Sequence, residues 1–263
     1  MDAIFFIGIL SLCIVSIQNK MLTPDGGIAA FFTGLFIFLS FQWQGLVILG
    51  LFFLTSSLLT KWKKNVKRDP DAVNSEYVKG RNARQVFANG GTASLAAAGQ
   101  LIHPDPVWFI MYAAAFATAT ADTWASEIGV LSKRRPFHLK EWRKVERGLS
   151  GAVSTLGTFA AILGASVIGL SYQLLYEPVA LTIIITIITA GFLGNFADTL
   201  IGAWLEQKFY CSICKRETEE IVHCHSKTVK IFGYSWATNN FVNFSATIVG
   251  ALIAGGTYIW IIK

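Results

Sequence analysis

Residues 178–203 read PVALTIIITIITAGFLGNFADTLIGA, a run in which Asp198 is the only charged side chain. A continuous apolar run of about 20 residues is typical of a helix that crosses a bilayer. The whole chain agrees, because hydrophobic residues make up 53% of its 263 residues and charged residues only 14%, against roughly 25% charged in soluble domains. The apolar runs are unbroken rather than alternating. The sequence therefore predicts an all-α integral membrane protein.

Eight apolar segments predict a polytopic bundle of about eight transmembrane helices. They are residues 3–17, 27–41, 45–60, 86–102, 107–128, 151–171, 178–203 and 239–262. We predict one membrane domain over residues 1–263. The first segment lacks a basic leader and a small-residue cleavage site, which indicates a retained helix rather than a signal peptide. The triplet Ala-Asp-Thr occurs at 121–123 and again at 197–199, each time after a helix with a Gly-rich start, which suggests an internal parallel repeat.

The basic residues predict the orientation. With the N-terminus outside, the inside segments are 18–26, 61–85, 129–150 and 204–238, and they hold 21 of the 22 Lys and Arg residues. Positively charged loops stay in the cytosol. This distribution accounts for the net charge of +6 without nucleic acid as a partner, and attraction to anionic lipids adds to it. We therefore predict a multi-pass protein of the cytoplasmic membrane of a prokaryote, with 204–238 as a cytosolic loop.

Polar side chains at membrane depth indicate a function. They lie near the cytosolic ends of the predicted helices, and they are Asp122, Glu127, Asn195, Asp198, Asn239, Asn240 and Asn243. An ionised Asp near a helix centre costs about 3 kcal/mol on insertion scales, so a partner, a metal or water must offset it. The simplest interpretation of one such Asp is an ion pair or a helix-end hydrogen bond. A lone Asn more often links helices.

Taken together, these groups favour a magnesium site. Asp122 and Asp198 lie on separate helices, and carboxylate and amide oxygens without a nearby His suit Mg²⁺. Basic residues at the same level suit phosphate oxygens. A metal with a basic clamp is typical of phosphoryl transfer. The chain lacks a P-loop and a G-x-G-x-x-G motif, so a bound nucleotide would occupy a pocket of another kind.

The predicted loop 204–238 contains a candidate zinc site. Cys211 and Cys214 form a C-x-x-C pair, which is followed by His223, Cys224 and His225. Three thiolates and one imidazole at this spacing suit tetrahedral, structural Zn²⁺. We expect Cys211, Cys214 and Cys224 as ligands, and one histidine, His223 or His225, as the fourth. The alternative is a set of reduced thiols without metal, in keeping with a cytosolic loop.

Five motifs in order resemble the phytyl-phosphate kinase-like family of integral membrane proteins, which is distantly similar to phytol and dolichol kinases. They are RNARQVFANGG (81–91), TADTWASEIG (120–129), GLSGAVSTLGT (148–158), GNFADTLIGAWLE (194–206) and TNNFVNF (238–244). The resemblance implies a membrane enzyme that phosphorylates an isoprenyl monophosphate, such as phytyl phosphate, from a nucleoside triphosphate, in particular CTP. Many relatives have Asp where this chain has Asn240, which removes one candidate carboxylate.

The candidate site follows from the residues and the motifs together. The catalytic candidates are Asp122, Glu127, Asp198 and Arg84, with Mg²⁺ on Asp122 and Asp198. The candidates for binding lipid phosphate or nucleotide are Arg81, Asn82, Gln85, Asn89, Ser126, Arg134, Arg147, Asn195, Asn239, Asn240 and Asn243. Two other classes of protein are alternatives: a transporter that uses the Asp and Asn residues as a relay, and a lipid-binding membrane protein without catalysis.

Overall fold

Seven α-helices make up most of the structure, a computed structural model that describes residues 2–66, 80–176 and 180–262. They are α1 (Asp2–Gln18), α2 (Pro24–Val66), α3 (Ala83–Ile102), α4 (Pro106–Gly129), α5 (Thr155–Leu175), α6 (Leu181–Trp204) and α7 (Asn239–Thr257), the last continuing as a π-helical turn, Tyr258–Ile262. Residues 67–79 of the predicted inside segment 61–85 lie outside the described residues.

The predicted number of about eight helices is not confirmed, because two predicted helices are joined in α2. The backbone leaves the helical conformation only at Gln42, where φ is 53° and ψ is −152°, and the helix resumes immediately. Next to this break, the buried Tyr112 hydroxyl donates a hydrogen bond to the Gly45 carbonyl oxygen at 2.6 Å. The predicted boundary between 41 and 45 therefore corresponds to a kink at which two helices meet. Gly26 near the start of α2 packs against Arg81, and Thr60 near its end bonds Glu127, so both ends of α2 lie at the same end of the bundle.

Among the described residues, four helices are long and apolar enough to cross a membrane. They are Pro24–Trp62, Thr155–Leu175, Leu181–Trp204 and Asn239–Ile261, and Ala3–Gln18 is a shorter apolar helix. Their outer surfaces expose large apolar side chains such as Phe159 and Leu252. Such a surface is unfavourable in water and suits lipid, so the structure supports the membrane assignment.

Helix α4 is the centre of the bundle and contacts α2, α3, α5, α6 and α7. Its small residues Ala113, Ala117 and Ala121 follow one another at four-residue spacing and are fully buried. Gly164 of α5 packs against the Thr120 carbonyl oxygen, which a Cβ at this glycine would meet at 3.1 Å. Small residues allow helix backbones to approach closely in lipid, so this stripe packs α4 against its neighbours.

The connections between helices contain short antiparallel strands, so the all-α prediction is incomplete. In one connection β1 (Phe137–His138) pairs with β2 (Arg143–Lys144) and β3 (Ala152–Val153). In the other, β4 (Lys208–Cys211) lies between β5 (Arg216–Thr218) and β8 (Val229–Phe232), and β6 (Val222–His223) pairs with β7 (Ser226–Lys227). Backbone groups without helical partners pair across hairpins here.

A buried side-chain contact joins the two connections. Lys208 Nζ lies 2.8 Å from His138 Nε2, and both side chains are buried. Burial lowers the pKa of each group, because it disfavours the charged form of a base. The two connections therefore pack against each other at one end of the bundle. The internal repeat is not confirmed by the described residues and stays a prediction.

Candidate functional site

A cavity of about 900 Å³ lies at the end of the bundle where α3, α5 and α7 begin and α2, α4 and α6 end. Twelve of the predicted site residues line it: Arg81, Gln85, Asn89, Asp122, Ser126, Glu127, Arg147, Asn195, Asp198, Asn239, Asn240 and Asn243. Because α3, α5 and α7 begin at this end of the bundle and α4 and α6 end there, motifs at helix starts and helix ends meet at one level. The site is therefore assembled from residues far apart in sequence.

The start of α3 supplies one wall of the cavity. Gln85 and Asn89 are four residues apart, which places them on one face of α3, and Arg81 lies just before the N-cap; all three line the cavity. Asn82 is the N-cap, and its side chain accepts a hydrogen bond from the Gln85 backbone N–H at 3.1 Å. Asn82 therefore stabilises the helix start and does not line the cavity. Arg84 is exposed and lies outside the lining.

The end of α4 supplies two carboxyl groups to the lining. Asp122 and Glu127 both face the cavity, and Ser126 lies between them along the chain. Glu127 is buried, with 6% of its surface exposed, and its Oε1 accepts a hydrogen bond from the Thr60 hydroxyl at 2.8 Å. Thr60 comes from α2, so the Glu127 carboxyl group is oriented by another helix.

Helices α6 and α7 meet at Asp198. With its amide nitrogen facing these groups, Asn243 donates hydrogen bonds to Asp198 Oδ2 at 3.2 Å and to Asn239 Oδ1 at 3.1 Å. Asn195, one turn before Asp198, is buried with 8% exposed and also lines the cavity. One oxygen of Asp198 is thus held by an amide from a neighbouring helix, which fixes the direction of the carboxylate.

Negative charge is concentrated in this cavity. The Asp198 carboxylate is repelled by Asp122, and Glu219 acts on both of them. Among the described residues, no Lys or Arg forms a salt bridge with either Asp. Carboxylates that line one cavity and repel each other are stabilised by a cation between them, and oxygen ligands of this type fit Mg²⁺. The donor set of Asp122 and Asp198, with Asn amides beside them, therefore suits a magnesium ion.

Basic side chains lie around the rim of the same cavity. Lys20, Lys61, Arg81 and Arg147 line it, and the Arg81 guanidinium carbon lies 5.3 Å from the centre of the Phe52 ring. A cation over an aromatic face is held in place electrostatically. Arg134, which the sequence assigned to the site, is exposed and does not line the cavity.

Two residues of the recognised motifs, one that lines the cavity and one bonded to it, were not assigned from the sequence. Ser150 is in the third motif and lines the cavity, and Glu206 ends the fourth. The Ser150 hydroxyl donates a hydrogen bond to Glu206 Oε2 at 2.5 Å. Burial and repulsion by Glu219 raise the pKa of Glu206 to about 8. Neither residue lies in a predicted transmembrane segment, so only their position within the motifs could have identified them as site residues.

Glu219 is a cavity residue that the sequence pattern did not indicate. It follows β5 in the connection between α6 and α7 and lines the cavity. Its Oε1 accepts a hydrogen bond from the Ser150 backbone N–H at 2.9 Å, and burial raises its pKa. Only the path of the β4–β5 hairpin brings this residue to the helix ends.

The three expected cysteine ligands and one of the two candidate histidines lie together in this connection. One ligand atom from each of Cys211, Cys214, His223 and Cys224 lies within 4.8 Å of the others. His223 Nδ1 is 3.4 Å from Cys214 Sγ and 3.2 Å from Cys224 Sγ. Hydrogen bonds from the backbone of Cys214 and from the His223 ring lower the pKa of the Cys211 thiol to about 6. The cluster thus contains His223 and not its neighbour His225.

Known proteins related to this chain are also membrane proteins. The chain is 28% identical to an uncharacterized membrane protein of Methanocaldococcus jannaschii, and the alignment covers 94% of this chain and 92% of that protein. It is 29% identical to Protein PGR of Arabidopsis thaliana, with the same coverage of both chains. A more distant relative is the chloroplastic protein VTE6 of Arabidopsis thaliana, at 22% identity over 89% of this chain and 64% of that protein. No solved structure matches the chain.

The family assignment rests on a match over nearly the whole chain. The sequence model described as "Integral membrane protein DUF92" matches residues 7–251, which includes all five motifs and every helix that lines the cavity. The presence of VTE6 and Protein PGR among the relatives agrees with the resemblance drawn from the motifs. The chain belongs to the DUF92 family of integral membrane proteins.

Proposed function

We propose that this protein is a membrane-embedded kinase that transfers a phosphoryl group from a nucleoside triphosphate, CTP in particular, to an isoprenyl monophosphate of the phytyl or polyprenyl type. One observation supports the proposal most directly. Each of the five motifs that resemble the phytyl-phosphate kinase-like family contributes residues to the same cavity, although the motifs span residues 81–244. If the motifs had matched the family by chance, their residues would have no reason to line one cavity.

The charges of the cavity suit two phosphate-bearing substrates. An oxygen of the lipid monophosphate attacks the γ-phosphorus of the nucleotide, and the bond from that phosphorus to the β-phosphate oxygen breaks. The nucleophile is already anionic near neutral pH, because the second pKa of a phosphate monoester is about 6. It needs no general base, but both phosphates need cations to offset their repulsion. Lys20, Lys61, Arg81 and Arg147 lie where they supply this charge.

Asp122 and Asp198 are the residues that would hold Mg²⁺, and Asn243, which also donates to Asn239, orients the Asp198 carboxylate. When bound there, Mg²⁺ would supply positive charge that offsets the charge of the transferring phosphate. The protein itself contributes fixed positions for both carboxylates, on helices that pack closely in the centre of the bundle. Glu127, held by Thr60, is available to orient a basic side chain or a substrate hydroxyl.

The isoprenyl tail requires a route from the bilayer to the cavity. Phe196 of α6 lines the cavity and is also 41% exposed on a helix that qualifies as a membrane span. Phe196 is therefore an accessible apolar side chain on the cavity wall, and we propose that the wall meets the lipid-facing surface at this residue. We propose that the tail lies along this surface, with its phosphate among the basic residues at the cytosolic level of the membrane.

The test is a transfer assay with purified protein in lipid nanodiscs. Phytyl phosphate, CTP and Mg²⁺ should yield phytyl diphosphate, measured by mass spectrometry, and phytol should react far more slowly. Asp122→Asn and Asp198→Asn should each lower the rate by about 100-fold or more, as expected when charge stabilisation in a transition state is removed. Arg81→Ala should lose more activity than Arg81→Lys, which keeps a point charge.

Two control variants distinguish loss of a cavity residue from loss of positive charge elsewhere on the protein. Arg143→Ala removes a basic residue on the same side of the bundle but outside the cavity lining, and it should retain the parent rate. Arg84→Ala should retain more activity than Arg81→Ala, since Arg84 is exposed. Transport of the lipid without product, or full activity in either Asp variant, would contradict the proposal. Faster turnover of phytol would instead indicate that Glu127 acts as a base.

A further inference from the structure

The connection between α6 and α7 contains features that the proposed transfer does not use. Its cluster of Cys211, Cys214, His223 and Cys224 is brought together by two hairpins. Cys211 ends β4, and Cys214 lies in the turn that leads to β5. His223 ends β6, and Cys224 begins the turn that leads to β7. Two separate turns thus present their ligands to one point.

The separations within the cluster fit a tetrahedral metal site. At Zn–S and Zn–N bond lengths of about 2.3 and 2.1 Å, neighbouring ligand atoms lie about 3.6–3.8 Å apart. The ligand atoms here lie within 4.8 Å of one another, and the His223 Nδ1 separations of 3.4 and 3.2 Å are close to the expected value. Three sulfur ligands and one nitrogen ligand select zinc among the common divalent ions.

The turn residues themselves support a role for these side chains. Cys224 and His225 both have positive φ, 50° and 57°, and they form the two-residue turn between β6 and β7. A turn of this kind favours Asn-Gly, because residues with a Cβ are strained at positive φ. The sequence places a cysteine at an unfavourable position, and its Sγ faces His223. A metal ligand there offsets the strain.

The cluster also determines where Glu219 lies. Residues 215–222 form a segment whose two ends adjoin ligands, Cys214 on one side and His223 on the other. Glu219 is in the middle of this segment, and it lines the cavity and accepts the hydrogen bond from the Ser150 N–H at 2.9 Å. A metal bound at both ends closes the segment into a loop, which lowers the conformational entropy that ordering Glu219 costs.

We propose that Cys211, Cys214, His223 and Cys224 bind one structural Zn²⁺ that closes the segment 215–222 and thereby holds Glu219 against Ser150 at the cavity wall. Four protein ligands leave no open position, so the zinc does not act on substrate. Glu219 acts as a positioning residue through its hydrogen bond to the Ser150 backbone. The inference does not depend on the proposed kinase activity, since neither readout below measures transfer.

Elemental analysis tests the metal. Full-length protein is purified under reducing conditions with a tag that contains no histidine, and zinc is measured per chain. The parent should contain one zinc per chain, and Cys214→Ser and His223→Ala should lose it. His225→Ala and Cys13→Ser are the matched controls and should retain it, because neither residue belongs to the cluster. Release of one zinc as three thiols react with a mercurial reagent would support the same site in unmutated protein.

Hydrogen exchange tests the coupling to the cavity. In zinc-loaded protein the Ser150 amide should be protected by its bond to Glu219, and removal of zinc should speed its exchange at least tenfold. Glu219→Ala should speed it equally while zinc stays bound. The amides of α4 serve as the fold control and should remain unchanged. If unmutated protein contains no zinc, or if the zinc-free protein is as stable as the zinc-loaded protein, the proposed structural metal site is wrong. Bound zinc whose removal leaves the Ser150 amide protected overturns the coupling.

Discussion

Replacement of Glu206 by Gln should make the protein more stable at alkaline pH and leave its stability unchanged at acid pH. Glu206 has 2% of its surface exposed and accepts the Ser150 hydroxyl hydrogen bond at 2.5 Å. A glutamine can accept the same bond through its amide oxygen, so the substitution removes the charge and retains the contact. The side chains are nearly equal in volume, which avoids a cavity.

The magnitude follows from the pKa of the buried carboxyl group. Burial and repulsion by Glu219 raise it from 4.5 to about 8. Since each pKa unit corresponds to about 1.4 kcal/mol, the ionised form is disfavoured by about 5 kcal/mol in the folded protein. The folded state binds the proton more tightly than the unfolded state, so the stability is fully present below pH 4.5 and is lost as the pH rises to about 8. The substitution removes this loss.

The assay is thermal unfolding of purified protein in detergent at pH values of about 4 and about 8.5, on either side of the range from 4.5 to about 8. Glu206→Gln should raise the melting temperature at the higher pH by about 5 °C or more and should change it little at the lower pH. Glu146→Gln is the control, because Glu146 is exposed and surface substitutions change stability by about 0.5 kcal/mol or less. An equal effect of Glu206→Gln at both pH values would refute the reasoning.

Three further outcomes are expected. Gly250→Ala should destabilise the protein by about 1–3 kcal/mol, because a Cβ there collides with a threonine side chain of α4. Gly50 has open space around it, so Gly50→Ala should not destabilise the protein. Chemical unfolding measures the stability of both variants. Tyr112→Phe should lower stability by about 1–2 kcal/mol in the same assay, because the Gly45 carbonyl oxygen loses a buried donor. A cysteine placed at Lys140 should resist an impermeant thiol reagent in intact cells and react after lysis, and labelling of intact cells would reverse the predicted orientation.

Much of the fold could be predicted because lipid restricts the choices. An apolar run as long as 178–203 must satisfy its backbone internally, and only a helix does so within one segment. The observed bounds of α6, Leu181–Trp204, differ from this run by a few residues. Helix boundaries marked by a local sequence signal could also be predicted. Asn239 begins both the predicted and the observed last helix, and Thr238 is its N-cap. The short strands were not predicted, because two to four residues carry too little pattern.

The candidate site was predictable where a residue's place along its helix decides its depth. Asp122 and Asp198 lie near helix ends at one level, and alternating helix direction brings those ends together. How each helix is rotated about its own axis could not be predicted in this way. Arg84 and Gln85 are neighbours in the first turn of α3, yet Gln85 lines the cavity and Arg84 is exposed. Which face turns inward depends on packing against neighbouring helices, and the sequence of one helix does not contain it.

The amino-acid sequence by itself determined the membrane class, the approximate helix bounds and the polar positions at one level of the bundle, because hydropathy and helical rise act locally. Only the tertiary structure decided which of those positions share a cavity, that His223 rather than His225 joins the cysteines, and that Glu219 reaches the site. These outcomes depend on contacts between segments far apart in the chain. The free energy of such a contact depends on both segments that form it, so it cannot be inferred from the sequence of either segment alone.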